Sequence, residues 1–184
     1  MKSYAEKYKD TYRIPSCRLP YYNYAAAGVY EITICTQDRQ LYFGQVIDGR
    51  MLLSPIGKKA HQYWHRIPHY FSTICLDEYT VMPNHIHGIL IIQGVETRSS
   101  ASLHNDLWLS PDKFLPYKNK FGPLRRNSIS SVINHYKGRV TKYAHRHKII
   151  FGWQPLFTEH IIRNLRSLNR RRRYIKNNPA RWGQ

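Results

Sequence analysis

The chain has 184 residues, a length typical of one domain with a substantial core and room for an arm or an insertion. No apolar run approaches the roughly 20 residues of a membrane-spanning helix, and the first residues lack the apolar region of a signal peptide. We therefore expect no membrane association and a cytoplasmic location. The three cysteines are far apart and odd in number, which argues against a disulfide framework or a cysteine zinc site.

Charge is the strongest signal in the composition. The chain holds 29 Lys and Arg against 11 Asp and Glu, a formal net charge of +18. A small domain tolerates such self-repulsion when its partner is a polyanion, so nucleic acid is the expected partner. Aromatic residues make up 14% of the chain, and rings interleaved with cations are typical of proteins that bind single strands, although most rings pack in the core.

The N-terminal part of the chain predicts an arm, a strand and a hairpin. Residues 1–28 mix cations with tyrosines and show no sustained apolar period, which predicts a loosely ordered basic arm. Residues 29–36 alternate in polarity and are rich in β-branched side chains, the pattern of a strand. Asp48-Gly49 is the strongest two-residue turn signal and predicts a hairpin over residues 43–53.

A helix and a second strand follow. Ser54 before Pro55 is a helix start, with serine as N-cap and proline in the first turn. Helical spacing of apolar and aromatic residues continues to about residue 68, and these form a core-facing stripe. Residues 74–82 predict the next strand, which is joined to the one after it through a tight turn at Pro83 and Asn84.

His85 and His87 stand in a strand-like run over residues 81–92, separated by Ile86. Side chains alternate between the faces of a strand, so the two imidazoles share one face while Ile86 points to the other. Imidazoles fixed side by side are a ready pair of metal ligands. From this motif alone, two ordinary histidines on a polar face remain the more common alternative.

The rest of the chain predicts a long loop, two helices and a strand. Residues 94–123 are polar and irregular, and loops of this length are usually functional or disordered. Residues 127–145 have the apolar side of a helix, and residues 153–162 form the last predicted strand. A final basic helix runs from residue 165 to about residue 177 and ends before Pro179.

The order of these elements over residues 29–184, without the small hairpin and the final helix, is βαββαβ. It predicts an α+β, ferredoxin-like fold, an antiparallel sheet with two helices on one face. The histidine strand then lies in the middle of the sheet. If Ile86 and Leu90 face the two core helices, His85 and His87 face the other way, and the C-terminal helix is the element left to cover them.

The final helix combines an apolar stripe with a run of cations. At about 100° per residue, Tyr174 and Asn178 lie one turn apart at the edge of that stripe. Arg172 falls toward the stripe, and we expect it to extend its charge into solvent. The spacing alone favours a solvated basic helix with a packed tyrosine over a catalytic one. The stripe consists of Leu165, Leu168 and Ile175.

Four short motifs occur together in this chain. They are His85-Ile-His87 after Met82-Pro-Asn84, Trp153-Gln-Pro-Leu-Phe157, Glu159-His-Ile-Ile-Arg163 and Tyr174-Ile-x-x-Asn-Pro-x-x-Trp182. In combination they resemble the REP-associated tyrosine transposases, single-tyrosine members of the HUH nuclease superfamily related to small insertion-sequence transposases. The resemblance covers residues 29–182, whereas residues 1–28 and 94–123 match no part of the family that we can place.

The resemblance implies a catalytic site. By it, His85 and His87 bind a divalent metal, Mg²⁺ or Mn²⁺, Asn178 is the third ligand, and Tyr174 is the nucleophile. The family attacks single-stranded DNA, which leaves a 5′-phosphotyrosine and a free 3′-OH, and a second 3′-OH can reverse the reaction and join strands. The substrate implied is a hairpin with a flanking single strand, as in repetitive extragenic palindromes. The protein would then be associated with the nucleoid, as a monomer or a homodimer.

Cations on the two later helices are predicted to contact the DNA. The predicted DNA contacts are Arg170, Arg171, Arg173, Lys137, Arg139 and Lys142.

Two other functions stay open. A non-catalytic nucleic-acid-binding module on the same fold would bind without metal and tolerate His85→Ala. A hydrolytic phosphodiesterase with a histidine-bound metal would turn over without a protein-linked intermediate.

Overall fold

A computed structural model describes residues 22–94 and 125–183, together with two short N-terminal strands that pair antiparallel, β1 (Lys7–Tyr8) and β2 (Thr11–Tyr12). The other elements are β3 (Gly28–Cys35), β4 (Gly44–Ile47), β5 (Arg50–Leu53), α1 (Pro55–His65), α2 (Ile67–Tyr70), β6 (Ile74–Met82), β7 (His85–Ile92), α3 (Ile129–Arg146), β8 (Thr158–Ile162) and α4 (Leu165–Lys176). Short 3₁₀ turns lie at Gln37–Arg39 and Pro179–Arg181. None of the helices in this part of the chain has the length and apolar character needed to cross a bilayer.

Four strands form one antiparallel sheet in the order β6-β7-β3-β8. With α1 between β3 and β6, and α3 between β7 and β8, the chain follows the βαββαβ order. The predicted ferredoxin-like α+β fold is therefore confirmed. Strand β7 is hydrogen-bonded to β6 on one side and to β3 on the other, so the histidine strand is central, as predicted.

Alternation along the central strands divides their side chains between two cores. Ile86 of β7 faces the larger core, which contains the fully buried Trp64 and lies between the sheet and helices α1 and α3. Ile89 faces the other side, where it packs with Leu168 and Ile175 of α4. Helix α4 therefore covers the sheet face opposite α1 and α3, which is the arrangement that the element order predicted.

The predicted start of helix α1 is confirmed, but its predicted end is wrong. The Ser54 hydroxyl accepts a hydrogen bond from the Gly57 amide at 3.1 Å, so serine caps α1 as expected. The predicted continuous helix to residue 68 instead ends at His65, and α2 restarts at Ile67. Pro68 explains the break, because proline inside one helix removes a hydrogen bond and clashes with the preceding turn, whereas the first turn of α2 tolerates it.

Residues with a positive φ angle mark two further element boundaries. Asp48 and Gly49 have φ of 50° and 70°, which places the β4–β5 turn at the predicted Asp-Gly pair. Helix α3 begins at Ile129, two residues later than predicted, because Asn127 has φ of 60° and lies outside the helix. Its cap is the Ser128 side chain, which accepts a hydrogen bond from the backbone of the first turn.

The last strand is shorter than predicted. β8 begins at Thr158, and Trp153 makes only an isolated bridge to Thr36. Leu156 has φ of 65°, a left-handed conformation that cannot continue a strand, which accounts for the missing residues. Leu165, predicted in the apolar stripe of the last helix, is instead 44% exposed at the first residue of α4.

The predicted N-terminal arm, residues 1–28, contributes to the core at its end. The Tyr22 ring is buried and packs edge-on against Tyr24 at 4.8 Å, and the Tyr30 hydroxyl donates to the Ala26 carbonyl at 2.9 Å. The folded part of the chain thus includes residue 22. Most of that arm, and all of the predicted loop over 94–123 except Gly94, lie outside the described residues.

Gly88 allows the large core to approach the histidine strand. A Cβ at this position would lie 2.6 Å from an indole carbon of Trp64 and 2.7 Å from the Cβ of Tyr79. Atoms do not approach so closely, so Gly88→Ala must displace the indole or the strand. We expect it to lower the free energy of unfolding by about 1–3 kcal/mol in urea denaturation.

Gly138 provides the matched control. It lies within α3, and a Cβ there would meet nothing within 4 Å. Gly138→Ala should stabilise the protein by about 0.5–1 kcal/mol, because alanine loses less backbone entropy in a helix. Equal effects of the two substitutions would contradict the packing argument.

Candidate active site

His85 and His87 lie on the sheet face that α4 covers. Their ring centroids are 6.5 Å apart. The backbone of both is paired on each side, which holds the two rings on a rigid surface. The cross-strand neighbours are Thr33 and Thr80 beside His87, and Cys35 and Met82 beside His85.

His85 is a neutral imidazole with a fixed tautomer. Its Nδ1 donates to the Asn84 side-chain oxygen at 2.8 Å, which leaves the lone pair on Nε2. Burial, and then the electrostatic influence of His87 and Arg39, lower the pKa of His85 to about 4. At neutral pH the ring is therefore in the form that can bind a metal. The Trp182 ring lies 6.1 Å from it.

His87 is held by a buried acid, Glu31 of β3. Nε2 of His87 donates to one carboxylate oxygen at 2.8 Å, and Arg171 of α4 pairs with the other at 2.7 Å. Burial raises the pKa of Glu31, but its bonds to His87 and Arg171 outweigh burial, so the pKa is lowered and the carboxylate is ionised. Glu31 therefore fixes the His87 tautomer with the lone pair on Nδ1, and it ties α4 to the sheet.

Tyr174 projects from α4 beside His87. The two ring centroids are 5.5 Å apart, in an edge-to-face arrangement. The tyrosine is 45% exposed, whereas His87 is buried. The phenol thus stands against the histidine pair and remains open to a substrate. Both groups come from the same chain.

Asn178 follows Tyr174 by one helical turn and precedes the 3₁₀ turn at Pro179–Arg181. Its side-chain nitrogen is buried and finds no hydrogen-bond partner among the described residues. This nitrogen is a hydrogen-bond donor and cannot bind a cation, so the side-chain oxygen is the atom of Asn178 that could hold a metal. In residues 22–94 and 125–183, no three or more His, Cys, Asp or Glu side chains form a group that could hold a metal ion. Two imidazoles with an amide oxygen would be an uncharged set better suited to Mn²⁺ than to Mg²⁺, and metal binding by His85, His87 and Asn178 remains a prediction.

The Arg172 side chain is 40% exposed, but its charge is bound to an acid of the sheet and does not lie free in solvent as expected. Its Nε and Nη2 donate to both carboxylate oxygens of Asp77, at 2.8 and 2.5 Å. Asp77 lies in β6 where the register to β7 shifts between Leu76 and Tyr79, and this irregularity allows the carboxylate to reach α4. Two adjacent arginines, Arg171 and Arg172, thereby bind different strands and fix the rotation of α4 about its axis.

The Asp77 ion pair predicts a pH-dependent stability. Burial raises the pKa of Asp77, but hydrogen bonds from Arg172 and the Glu78 amide lower it further, so the folded-state pKa lies below the ordinary value. Such a group stabilises the fold above its unfolded pKa of about 3.9 and loses that contribution as the pH falls through its folded pKa. Asp77→Asn should cost about 1–3 kcal/mol at pH 7, and the difference from wild type should fall toward zero in strong acid.

Denaturation curves at pH 7, 5 and 3 measure this difference. Asp38→Asn serves as control, because Asp38 is an exposed carboxylate with φ of 49° that asparagine also adopts. The control should change stability by less than about 0.5 kcal/mol at every pH. A cost of Asp77→Asn that stays constant over the pH series would show that the carboxylate charge is not responsible.

The cations of α4 that were predicted to bind DNA differ in their surroundings. Arg170 and Arg173 are exposed. Arg171 is half-buried and bound to Glu31, so its guanidinium already has a partner within the protein. Only the first two are therefore open to a nucleic acid in this arrangement, and contact of any of them with DNA remains a prediction.

The cations of α3 lie on the other side of the sheet, and the structure does not bring them to Tyr174. Lys137 donates to two backbone carbonyls at 2.9 and 3.1 Å. Arg139 lies over the rings of two tyrosines, at 5.2 and 5.3 Å. Lys142 is exposed. A role for these three in DNA binding would require a second surface.

Sequence reasoning missed the two acids that position α4. A signal existed for Glu31, because it alternates with apolar residues on a strand of a chain that has only 11 acids. No pattern identified Asp77, since its direction depends on the irregularity in β6.

No family model matches the chain. An uncharacterised protein of Haemophilus influenzae is 36% identical over 171 residues, which cover 92% of this chain and 89% of that protein. Among solved structures, a REP-associated tyrosine transposase bound to a REP hairpin superimposes with a TM-score of 0.57 at 19% identity, covering 92% of this chain and 75% of the other. The chain therefore belongs to the family of the Haemophilus influenzae protein and has the fold of the REP-associated tyrosine transposase, as its motifs predicted.

Proposed function

We propose that the chain is a metal-dependent single-strand DNA endonuclease and strand transferase of the transposase type, with Tyr174 as its nucleophile. The observation that carries this proposal is the contact of Tyr174 with His87, at 5.5 Å between ring centroids. The tyrosine is also 45% exposed, so a substrate phosphate could reach its hydroxyl.

DNA is supported as the substrate by the net charge of +18. Hairpin DNA is supported by the transposase of the same fold, which is bound to a REP hairpin. The scissile strand would have to be single-stranded, because its phosphate must reach Tyr174 between the sheet and α4.

The chemistry is a phosphoryl transfer to a phenol and back. Oη of Tyr174 attacks the phosphorus and forms an ester bond, the bond from phosphorus to O3′ breaks, and the phenol proton passes to solvent while O3′ gains one. The products are a 5′-phosphotyrosine and a free 3′-OH. A 3′-OH of another strand can then attack the phosphotyrosine and release the phenol. Because the ester keeps the energy of the phosphodiester, joining needs no ATP.

His85, His87 and Asn178 would hold a divalent ion, Mg²⁺ or Mn²⁺. Such an ion neutralises charge on a non-bridging phosphate oxygen and makes the phosphorus more electrophilic. His85 contributes a neutral ring, since its pKa is about 4. Glu31 orients His87 and, through Arg171, is bound to the helix that carries the nucleophile.

The test uses hairpin oligonucleotides with single-stranded flanks, taken from the DNA on either side of the gene. Each is labelled once at the 5′ end and once at the 3′ end, incubated with the protein and Mn²⁺, and run on a denaturing gel. The 3′ label should move with the protein, because the protein is joined to the 5′ phosphate of the downstream fragment. The 5′ label should appear as a short free fragment ending in 3′-OH. EDTA should abolish both products.

Each alternative outcome of this experiment would point to a different function or a different reaction. Retention of the 5′ label would reverse the polarity of attack and contradict the proposal. Multiple turnover without a protein-linked band would indicate a hydrolytic phosphodiesterase. Tight binding with no cleavage, unaffected by EDTA and by His85→Ala, would indicate a non-catalytic binding module.

A further inference from the structure

The six arginines between positions 163 and 173 form two groups. Arg171 and Arg172 are bound to acids of the sheet. The others are exposed, and within residues 22–94 and 125–183 no acidic side chain forms a salt bridge with them. This exposed group consists of Arg163, Arg166, Arg170 and Arg173.

Three of these arginines lie on one side of α4. Arg166, Arg170 and Arg173 are three or four residues apart, opposite the Leu168 and Ile175 side chains that pack on the sheet. A cleft of about 490 Å³ runs along this side of the helix. We call the surface that lines this cleft the arginine face. It consists of Asn164, Arg166, Ser167, Arg170 and Arg173. A second cleft of about 490 Å³ shares Asn164 and Ser167, and the rest of its lining is Tyr24, Glu159, His160, Ile161 and Arg163.

The chemistry of the arginine face suits phosphates and not bases. It offers guanidinium groups and small polar side chains, and its lining contains no aromatic ring. Unpaired bases need aromatic platforms for stacking, whereas the backbone of a duplex needs only cations and hydrogen-bond donors. From Arg166 to Arg173 the helix rises about 10 Å, which equals roughly three base-pair steps measured along the axis of a duplex at about 3.4 Å each.

The arginine face also adjoins the proposed nucleophile. Tyr174 follows Arg173 directly and lies one turn beyond Arg170. A duplex held along the face would therefore end near the phenol, and its single-stranded continuation would pass toward the histidines.

We propose that the arginine face binds the sugar-phosphate backbone of the double-stranded stem of a DNA hairpin and delivers the adjoining single strand to Tyr174. The choice of hairpin DNA rests on the proposed function. Arg171, which the sequence pattern grouped with the DNA-binding cations, belongs instead to the contacts that hold α4 on the sheet. Arg166, which the pattern did not single out, belongs to the DNA contacts.

The experiment measures binding without chemistry, so that it is independent of cleavage. Tyr174→Phe protein in EDTA is titrated into a labelled hairpin with a flanking strand, and into an unpaired strand of equal length, over a series of salt concentrations. The test variant carries Arg166→Gln, Arg170→Gln and Arg173→Gln. The control carries Lys58→Gln, Arg66→Gln and Arg146→Gln, which removes the same charge from exposed positions on the α1 and α3 side.

The test variant should bind the hairpin at least about 10-fold more weakly. The slope of log K against log salt concentration should become shallower by about 0.9 for each lost phosphate contact. The affinity of the test variant for the unpaired strand should fall less than its affinity for the hairpin. The control variant should bind the hairpin with nearly the same salt slope as the parent protein. Equal losses from both triple variants would show that only net charge matters and would overturn the proposal. Equal losses on hairpin and unpaired strand would overturn the assignment to the stem.

A second measurement tests the proposal even if the triple variant folds poorly, because it does not use that variant. Ethylation interference on the hairpin, with Tyr174→Phe protein, should locate a short run of adjacent phosphates of the stem beside the cleavage position. Interference confined to the single-stranded flank would contradict the proposal. If these binding results hold while no cleavage is found with the unmodified protein, the stem-binding surface stands and the proposed nuclease fails.

Discussion

Tyr174→Phe should abolish the covalent protein–DNA adduct, with a loss of at least about 10³-fold in the rate of strand cleavage. The substitution removes only the attacking oxygen and keeps the ring against His87, where the centroids are 5.5 Å apart. Because the tyrosine is exposed and packs on one side only, stability and hairpin binding should stay close to wild type. Denaturing gels with 3′-labelled hairpins measure the adduct, and thermal melting checks the fold.

Tyr70→Phe is the matched control. Tyr70 is 41% exposed, close to the 45% of Tyr174, but it belongs to the short helix α2, remote in the chain from α4. It should leave cleavage unchanged. Adduct formation that survives in Tyr174→Phe would assign the nucleophile to another residue, and the proposed function would lose its main support.

Glu31→Leu should affect both stability and catalysis. It leaves the half-buried Arg171 without its partner and removes the acceptor that orients His87. We expect a loss of about 2–4 kcal/mol in the free energy of unfolding, below the usual cost for a fully buried pair because Arg171 remains partly exposed to water. Adduct formation should fall by about 10- to 100-fold, as for other residues that orient metal ligands.

A double variant separates these two effects. In Glu31→Leu with Arg171→Met no unpaired charge is left, so much of the stability should return. The His87 ring still lacks its acceptor, so adduct formation should stay low. Nitrogen NMR of the His87 ring should show the Nε2-protonated form in wild type and its loss in both variants. If the stable double variant formed as much covalent adduct as the wild type, Glu31 would have no positioning role.

The elements with strong local signals were predicted well. Ser54 and Pro55 begin α1 by caps that need no tertiary context, and the Asp48-Gly49 turn follows from backbone angles alone. The faces of β7 followed from alternation, which placed Ile86 in one core and His87 against α4. From these the βαββαβ order and the covering helix could be inferred before any coordinates.

The ion pairs around α4 could not be predicted in the same way. Arg171 and Arg172 are neighbours in a run of four arginines, and nothing local distinguishes them. Their partners are Glu31 and Asp77, and the second pair spans 95 residues of sequence. Which arginine binds an acid and which stays exposed depends on the rotation of the helix on the sheet. That rotation is set by packing of Leu168 and by the irregularity in β6.

The order of the elements has a consequence during synthesis. The two acids that receive α4, Glu31 and Asp77, and both histidines are translated well before Tyr174 emerges. A ribosome-bound chain can therefore pair β3, β6 and β7 while it still lacks the phenol. Because Arg166, Arg170 and Arg173 lie on the same late helix as Tyr174, the histidine face forms before either the arginine face or the phenol is present.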